Sequence, residues 1–100
     1  MKRRLVIYTT DAGKDLDWIY DAIAGAGSPV TASRYEQAIR AFCDGLDHAS
    51  ERGRRRDDIR RGLRIIGFER RATIALAVEE ERVVILRIFY GGRDWEGDWR

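Results

Sequence analysis

The spacing of apolar residues changes at Gly62. Upstream, apolar side chains recur every three or four positions; downstream, they recur every second one. A helical stripe and a pleated strand cannot share a period, so this switch demands two kinds of layer, helices first and strands after. Leu16, Ile19, Tyr20 and Ile23 mark one apolar face of a helix over residues 14–26, with Thr10 or Asp11 as its cap. Ser28-Pro29 then supplies a capping hydroxyl and a first helical residue that needs no N–H partner. Tyr35, Ile39, Phe42, Leu46 and Ala49 continue a second stripe, predicting a helix that ends near Gly53. The short Gly-containing link between the two predicts an antiparallel helical hairpin.

After Gly62 three strands follow: 63–68 (LRIIGF), 71–80 (RATIALAVEE) and 83–90 (VVILRIFY). Glu80, Glu81 and Arg82 form a polar turn that pairs the last two as a hairpin. One more strand opens the chain at 4–10 (RLVIYTT), where β-branched and aromatic residues stop at a turn signal. The order β-α-α-β-β-β predicts an α+β fold, a helical hairpin packed on a small antiparallel sheet. With 100 residues this is a single domain, 1–100, whose last stretch, 93–100, reads as a flexible or partner-bound tail.

Charge narrows the class. Charged residues make up 36% of the chain, enough for a soluble surface around one modest core, yet 19 basic and 17 acidic residues nearly cancel. The charge is concentrated at 51–64 (ERGRRRDDIRRGLR), which reads as a solvated connecting loop. A single cysteine, Cys43, forbids an intrachain disulfide, and the apolar run near the N-terminus is too short for a secretion signal or a membrane span. These features predict a cytoplasmic protein with no membrane association. One His and one Cys, with carboxylates scattered over several elements, give no metal set, and no Gly-rich phosphate loop is present; no cofactor is expected. His48 reads as a surface residue and Cys43 as an inert, shielded thiol.

Arg87 raises the functional question, because it interrupts the most apolar strand. Strict alternation puts Val84, Leu86, Ile88 and Tyr90 on one face and Val83, Ile85, Arg87 and Phe89 on the other. A guanidinium cannot lie unpaired beneath helices, so the Arg87 face is predicted to look outward as an apolar patch carrying a fixed cation. The alternative is that Arg87 pairs with a neighbouring carboxylate, such as Glu79 or Glu69, and blunts an edge. Trp18 lies beside the first helical stripe, and Trp95 and Trp99 stand four apart in a charged tail; exposed Trp is enriched where partners bind. Trp95 folding back over the sheet is the competing expectation.

Four stretches in order, 15–24 (DLDWIYDAIA), 33–42 (SRYEQAIRAF), 55–68 (RRDDIRRGLRIIGF) and 83–96 (VVILRIFYGGRDWE), resemble the ParE branch of the RelE/ParE toxin superfamily over nearly the whole chain. The resemblance implies the toxin of a type II toxin–antitoxin pair, with a ParD-like antitoxin whose tail folds on binding, and no direct nucleic-acid binding by the toxin alone unless it is a nuclease. ParE-like members are held to poison DNA gyrase by binding it, whereas RelE-like members cleave mRNA on the ribosome. For the gyrase reading, the expected target-binding residues are Arg64, Arg87, Phe89, Arg93 and Trp95. The expected antitoxin-binding residues are Trp18, Ile85 and Trp99. For the nuclease reading, the site would be Arg71, Tyr90 and Arg93. That reading is the weaker: Gly62 stands where a basic residue is expected, Trp99 where a Tyr would be, and an unperturbed Tyr titrates near ~10, far from neutrality.

Overall fold

The apolar stripes fold as their periods require, in a computed structural model that describes residues 3–48, 52–92 and 95–99, with only the backbone of Asp98. Strand β1 (Leu5–Tyr8) leads into helices α1 (Thr10–Gly25) and α2 (Pro29–Asp44), which pack as an antiparallel hairpin. A 3-10 turn (Gly45–Asp47) follows, then strands β2 (Arg54–Arg55), β3 (Leu63–Phe68), β4 (Ala72–Val78) and β5 (Arg82–Tyr90), and a short helix α3 (Trp95–Trp99). The strand order is β1-β5-β4-β3-β2. β2 to β5 pair antiparallel, but β1 joins β5 in parallel, so the sheet is mixed rather than wholly antiparallel. The helical hairpin makes this possible: it carries the chain across the sheet face, a connection that a tight turn cannot make.

Several boundaries differ from expectation, each for a local reason. α1 starts at Thr10, and its cap is Thr9, whose hydroxyl oxygen accepts from the Ala12 N–H at 3.0 Å. Ser28 caps α2 as predicted, accepting from the Thr31 N–H at 3.1 Å, with Pro29 in the first turn. α2 stops at Asp44 because Gly45 closes it and the tighter 3-10 turn swings Leu46 fully into the core. Ala49, the last residue of the predicted stripe, lies outside the described residues. The charge run contains the unpredicted strand β2, on the far edge of the sheet.

Two apolar clusters flank the sheet. Between sheet and helices lie Leu16, Ile19, Ile39, Leu46, Ile74, Leu76, Val83, Ile85 and Ile88, nearly all without solvent contact. On the outer face, Leu63, Ile65, Ala75 and Phe89 are joined by Ile59, Leu86, Trp95 and Trp99. Burial of each large aliphatic side chain is worth roughly 1.5–3 kcal/mol, so the larger inner cluster supplies most of the stability. Among the described residues no helix is long and apolar enough to cross a membrane.

Strict alternation fails in β5, and this corrects the predicted faces. A bulge shifts the register there: Leu76 pairs with Ile85, but Ala75 pairs with Arg87, leaving Leu86 as the extra residue. Val83 and Ile85 therefore face the helices before the bulge, and Ile88 and Tyr90 face them after it. Leu86 and Phe89 belong to the outer cluster. Thr9 stabilises the irregularity, donating its N–H to the Ile85 carbonyl at 3.0 Å and its hydroxyl to the Leu86 carbonyl at 2.8 Å.

Candidate functional site

The bulge lies where β1 ends, so β5 beyond Ile85 has no strand on that side. α1 fills the gap with one carboxylate. Asp15 accepts from the Ile88 N–H at 2.9 Å, from Arg87 Nε at 2.7 Å and from Arg87 Nη2 at 3.0 Å. The Asp15 side chain is 10% exposed and that of Arg87 24%. A bidentate pair of this kind fixes the guanidinium plane as well as its charge. Arg87 also lies over the Phe89 ring, 4.8 Å from its centroid, where the negative face of the ring favours a cation. Arg87 is thus neither free on an open sheet nor paired with Glu79 or Glu69; it is clamped to the first helix across the sheet edge. Surface remains beside it: a hollow of about 240 Å³ is lined by Thr9, Asp11, Arg60, Leu86, Arg87 and Trp99.

Phe89 is only 2% exposed, because α3 lies over it. Its ring meets Trp95 at 6.4 Å and Trp99, edge-on, at 6.3 Å. Arg56 ties α3 down. Its guanidinium stands 5.2 Å from the Trp95 ring centroid and donates to Glu96 Oε2 at 3.0 Å, while Asp58 accepts from it at 2.9 and 2.8 Å. These two carboxylates hold Arg56 in its charged form even more firmly than usual, chiefly through the Asp58 hydrogen bonds. The described part of the tail is therefore a docked helix in which Trp95 and Trp99 cover the sheet.

The remaining predicted residues do not share this surface. Ile85 is fully buried beneath the helices, so its side chain has nothing to present to an antitoxin; the bulge, absent from a strict alternation, turns it inward. Trp18 is 54% exposed but lies on α1, away from the outer cluster. Arg64 sits opposite Leu76, out of phase with Leu63 and Ile65 of the outer face. It lines a separate hollow of about 320 Å³ with Arg4, Arg55, Val78 and Glu79. Arg93 lies outside the described residues.

The nuclease residues are likewise divided. Arg71 is exposed and lines a hollow of about 200 Å³ with Arg70, Thr73, Phe89 and Gly92. Tyr90 packs on the helix side, edge-on to Tyr35 with ring centroids 5.5 Å apart. The Tyr35 hydroxyl has no hydrogen-bond partner among the described residues, and burial pushes its pKa up to about 12. Cys43 is enclosed in the core, where burial raises its thiol to about 12, so the thiolate needed for nucleophilic chemistry does not form near neutrality. His48 is a surface residue beside Asp47, 3.5 Å away. Among the described residues no group of three or more His, Cys, Asp or Glu is placed to hold a metal.

Sequence reasoning missed Asp15 and Arg56. Asp15 lies in the sequence as one of several acidic residues on α1; its one signal is register, four residues before Ile19 and eight before Ile23, a position Asp11 shares and Asp17 does not. Its role appears only once α1 is laid against the open edge of β5.

Known structures match this arrangement. A toxin–antitoxin system of Pseudomonas aeruginosa, described as a chromosomal ParDE system, contains a chain with 27% identity and a TM-score of 0.77, the match covering 89% of this chain and 97% of that one. The RelBE2 toxin–antitoxin complex of Mycobacterium tuberculosis contains a chain with 20% identity and a TM-score of 0.64, covering 88% and 98%, a likeness of fold alone. A search of curated protein sequences finds no match. The family model described as the ParE toxin of the type II toxin–antitoxin system parDE matches residues 6–95. With that match spanning all but the ends of the sequence, the chain belongs to the ParE toxin family.

Proposed function

We propose that this protein inhibits growth by binding and poisoning DNA gyrase, and that a ParD-like antitoxin, folding its tail on the toxin, neutralises it. One observation supports binding over catalysis. The outer face joins a clamped cation, Arg87, to Trp95 and Trp99, which cover Phe89 and leave that ring, an expected target contact, as their buried support, while Tyr90 turns away toward the helices. Trp and Arg are the residues that dominate binding hot spots. Phosphoryl transfer to a ribose hydroxyl needs a proton shuttle and charge stabilisation at one exposed point, whereas the Tyr90 ring is packed edge-on against Tyr35 on the helix side and Arg71 lines a different hollow, over Phe89. The antitoxin reading is supported by the family match and by the Pseudomonas aeruginosa relative, a chain of a ParDE toxin–antitoxin system.

The test is to induce the chain alone in growing cells. A DNA-damage response with accumulated gyrase-cleaved DNA is the expected result. Rapid truncation of translated mRNA, lost in Tyr90→Phe, would instead establish the ribosome-dependent nuclease.

A further inference from the structure

The charge run is built rather than loose. β2 ends the sheet, and Gly53 seats it with φ 84°; a Cβ there would stand 2.5 Å from the Ile65 carbonyl oxygen, so a residue with a side chain would push the strand away. Past β2 the Arg56 N–H donates to the Leu63 carbonyl at 2.9 Å, and the Gly62 N–H donates to Asp57 Oδ1 at 2.8 Å. That last bond is the main reason the Asp57 carboxyl is held below the usual carboxylate range. From Arg52 to Arg64 the chain carries seven arginines against two aspartates. Both aspartates are engaged inside the turn: Asp57 also pairs with Arg55 at 3.2 Å, and Asp58 pairs with Arg56. Ile59, the apolar residue of the turn, packs inward on the outer cluster. Arg52, Arg54, Arg55, Arg60 and Arg61 are left exposed.

The chemistry of this strip selects its partner. Among the described residues of this strip the exposed side chains are five arginines and two aspartates that pair within the turn; Ile59 is turned inward, and the aromatic anchors a protein interface would use, Trp95 and Trp99, lie beside the strip rather than on it. Single-stranded nucleic acid needs open aromatic platforms for its bases, and the rings nearest this strip, Trp95 beside Arg56 and Trp99 across a hollow from Arg60, are already packed on Phe89. A duplex phosphate backbone is bound by cations through counterion release, and the guanidinium fork fits its oxygens. We propose that the arginine edge formed by β2 and the turn after it binds the backbone of duplex DNA without reading sequence. The strip adjoins the proposed gyrase-binding surface at Arg60, which shares the hollow beside Arg87, whereas Arg54 and Arg55 do not line that hollow, so their double variant tests the DNA edge by itself; where the gyrase reading holds, the edge meets DNA that gyrase carries.

The experiment is fluorescence anisotropy of the full chain with a short labelled DNA duplex, without gyrase, titrated from about 50 to about 200 mM salt. Binding with a Kd on the order of 10 µM at the low-salt end is expected, weakening steeply as salt rises. Arg54→Gln/Arg55→Gln and Arg60→Gln/Arg61→Gln should each weaken binding and flatten the slope of log K against log salt by about 0.9 per lost phosphate contact. Arg54→Lys/Arg55→Lys should restore the slope, and Arg34→Gln, an exposed position on α2, should leave it unchanged. Circular dichroism confirms that each variant is folded. No binding at low salt, an unchanged slope in both double variants, or an equal loss in Arg34→Gln overturns the proposal. So does tighter binding to polyglutamate, which would point to an acidic protein segment, or to single-stranded RNA.

Discussion

One side of the sheet is roofed by two helices of 16 residues each; the other carries a helix of five. The long helices are capped, amphipathic and seated on a core that excludes water. The short one is below the length at which a helix persists by itself, and it contains Gly97. Its helicity depends on Phe89 and on the Arg56–Glu96 pair beneath it. The inner face therefore stores most of the stability, and the outer face is closed by a cover that fewer contacts hold down.

The comparison is broken most sharply from the inner side. Leu16→Ala, at a fully buried position, should cost about 3 kcal/mol in urea unfolding. An equal cost for removing a tail residue would refute the division of labour. Asp15→Ala comes next, at about 2–3 kcal/mol, because it strands the part-buried Arg87 guanidinium and the Ile88 N–H together. Asp15→Ala/Arg87→Leu should recover part of that loss; no recovery would mean that the pair is not what Asp15 serves.

Much of this division was legible in the residues. The stripes of α1 and α2 and the period-two runs of β3 to β5 are strong signals, and Ser28-Pro29 marks its helix start unambiguously. Three features were not. The bulge at Leu86 leaves no mark in a continuous apolar run, so the two halves of β5 were assigned a single phase. The β3–β4 turn places Glu69 and Arg70 at φ 50° and 60°, a conformation usually signalled by Gly or Asn. The parallel pairing of β1 with β5 joins residues about eighty positions apart, beyond the reach of any local pattern. At the site, Phe89, Trp95 and Trp99 come together with Arg87 nearby, while Ile85, Trp18 and Arg64 are dispersed by the bulge, the helix layer and the sheet phase.

Smaller effects sharpen the contrast. Trp99→Ala should cost only about 1–2 kcal/mol, less than a core aromatic, because water can enter where α3 withdraws. Its clearer signature is faster amide exchange at Leu63, Ile65 and Phe89, with Leu16 and Ile19 unaffected. The last prediction concerns alkaline pH. Cys43 and Tyr35 both hold their protons more tightly when folded, with pKa raised from 9.0 and 10.0 to about 12 in each case. The unfolded chain releases these protons first, so their contribution is complete below pH 9 and declines as pH rises toward 12. Urea midpoints measured across that range should fall, and Cys43→Ala should flatten the first part of the decline.

The irregularity at Leu86 has a wider consequence. It divides β5 into two lengths whose phases are set independently, one braced by β1 and one braced by a carboxylate from a helix. The first length behaves as framework and tolerates little change. The second carries Arg87 and Phe89, each held by a helix and not by β1, so a substitution there is felt by α1 and α3 while the first length keeps its place.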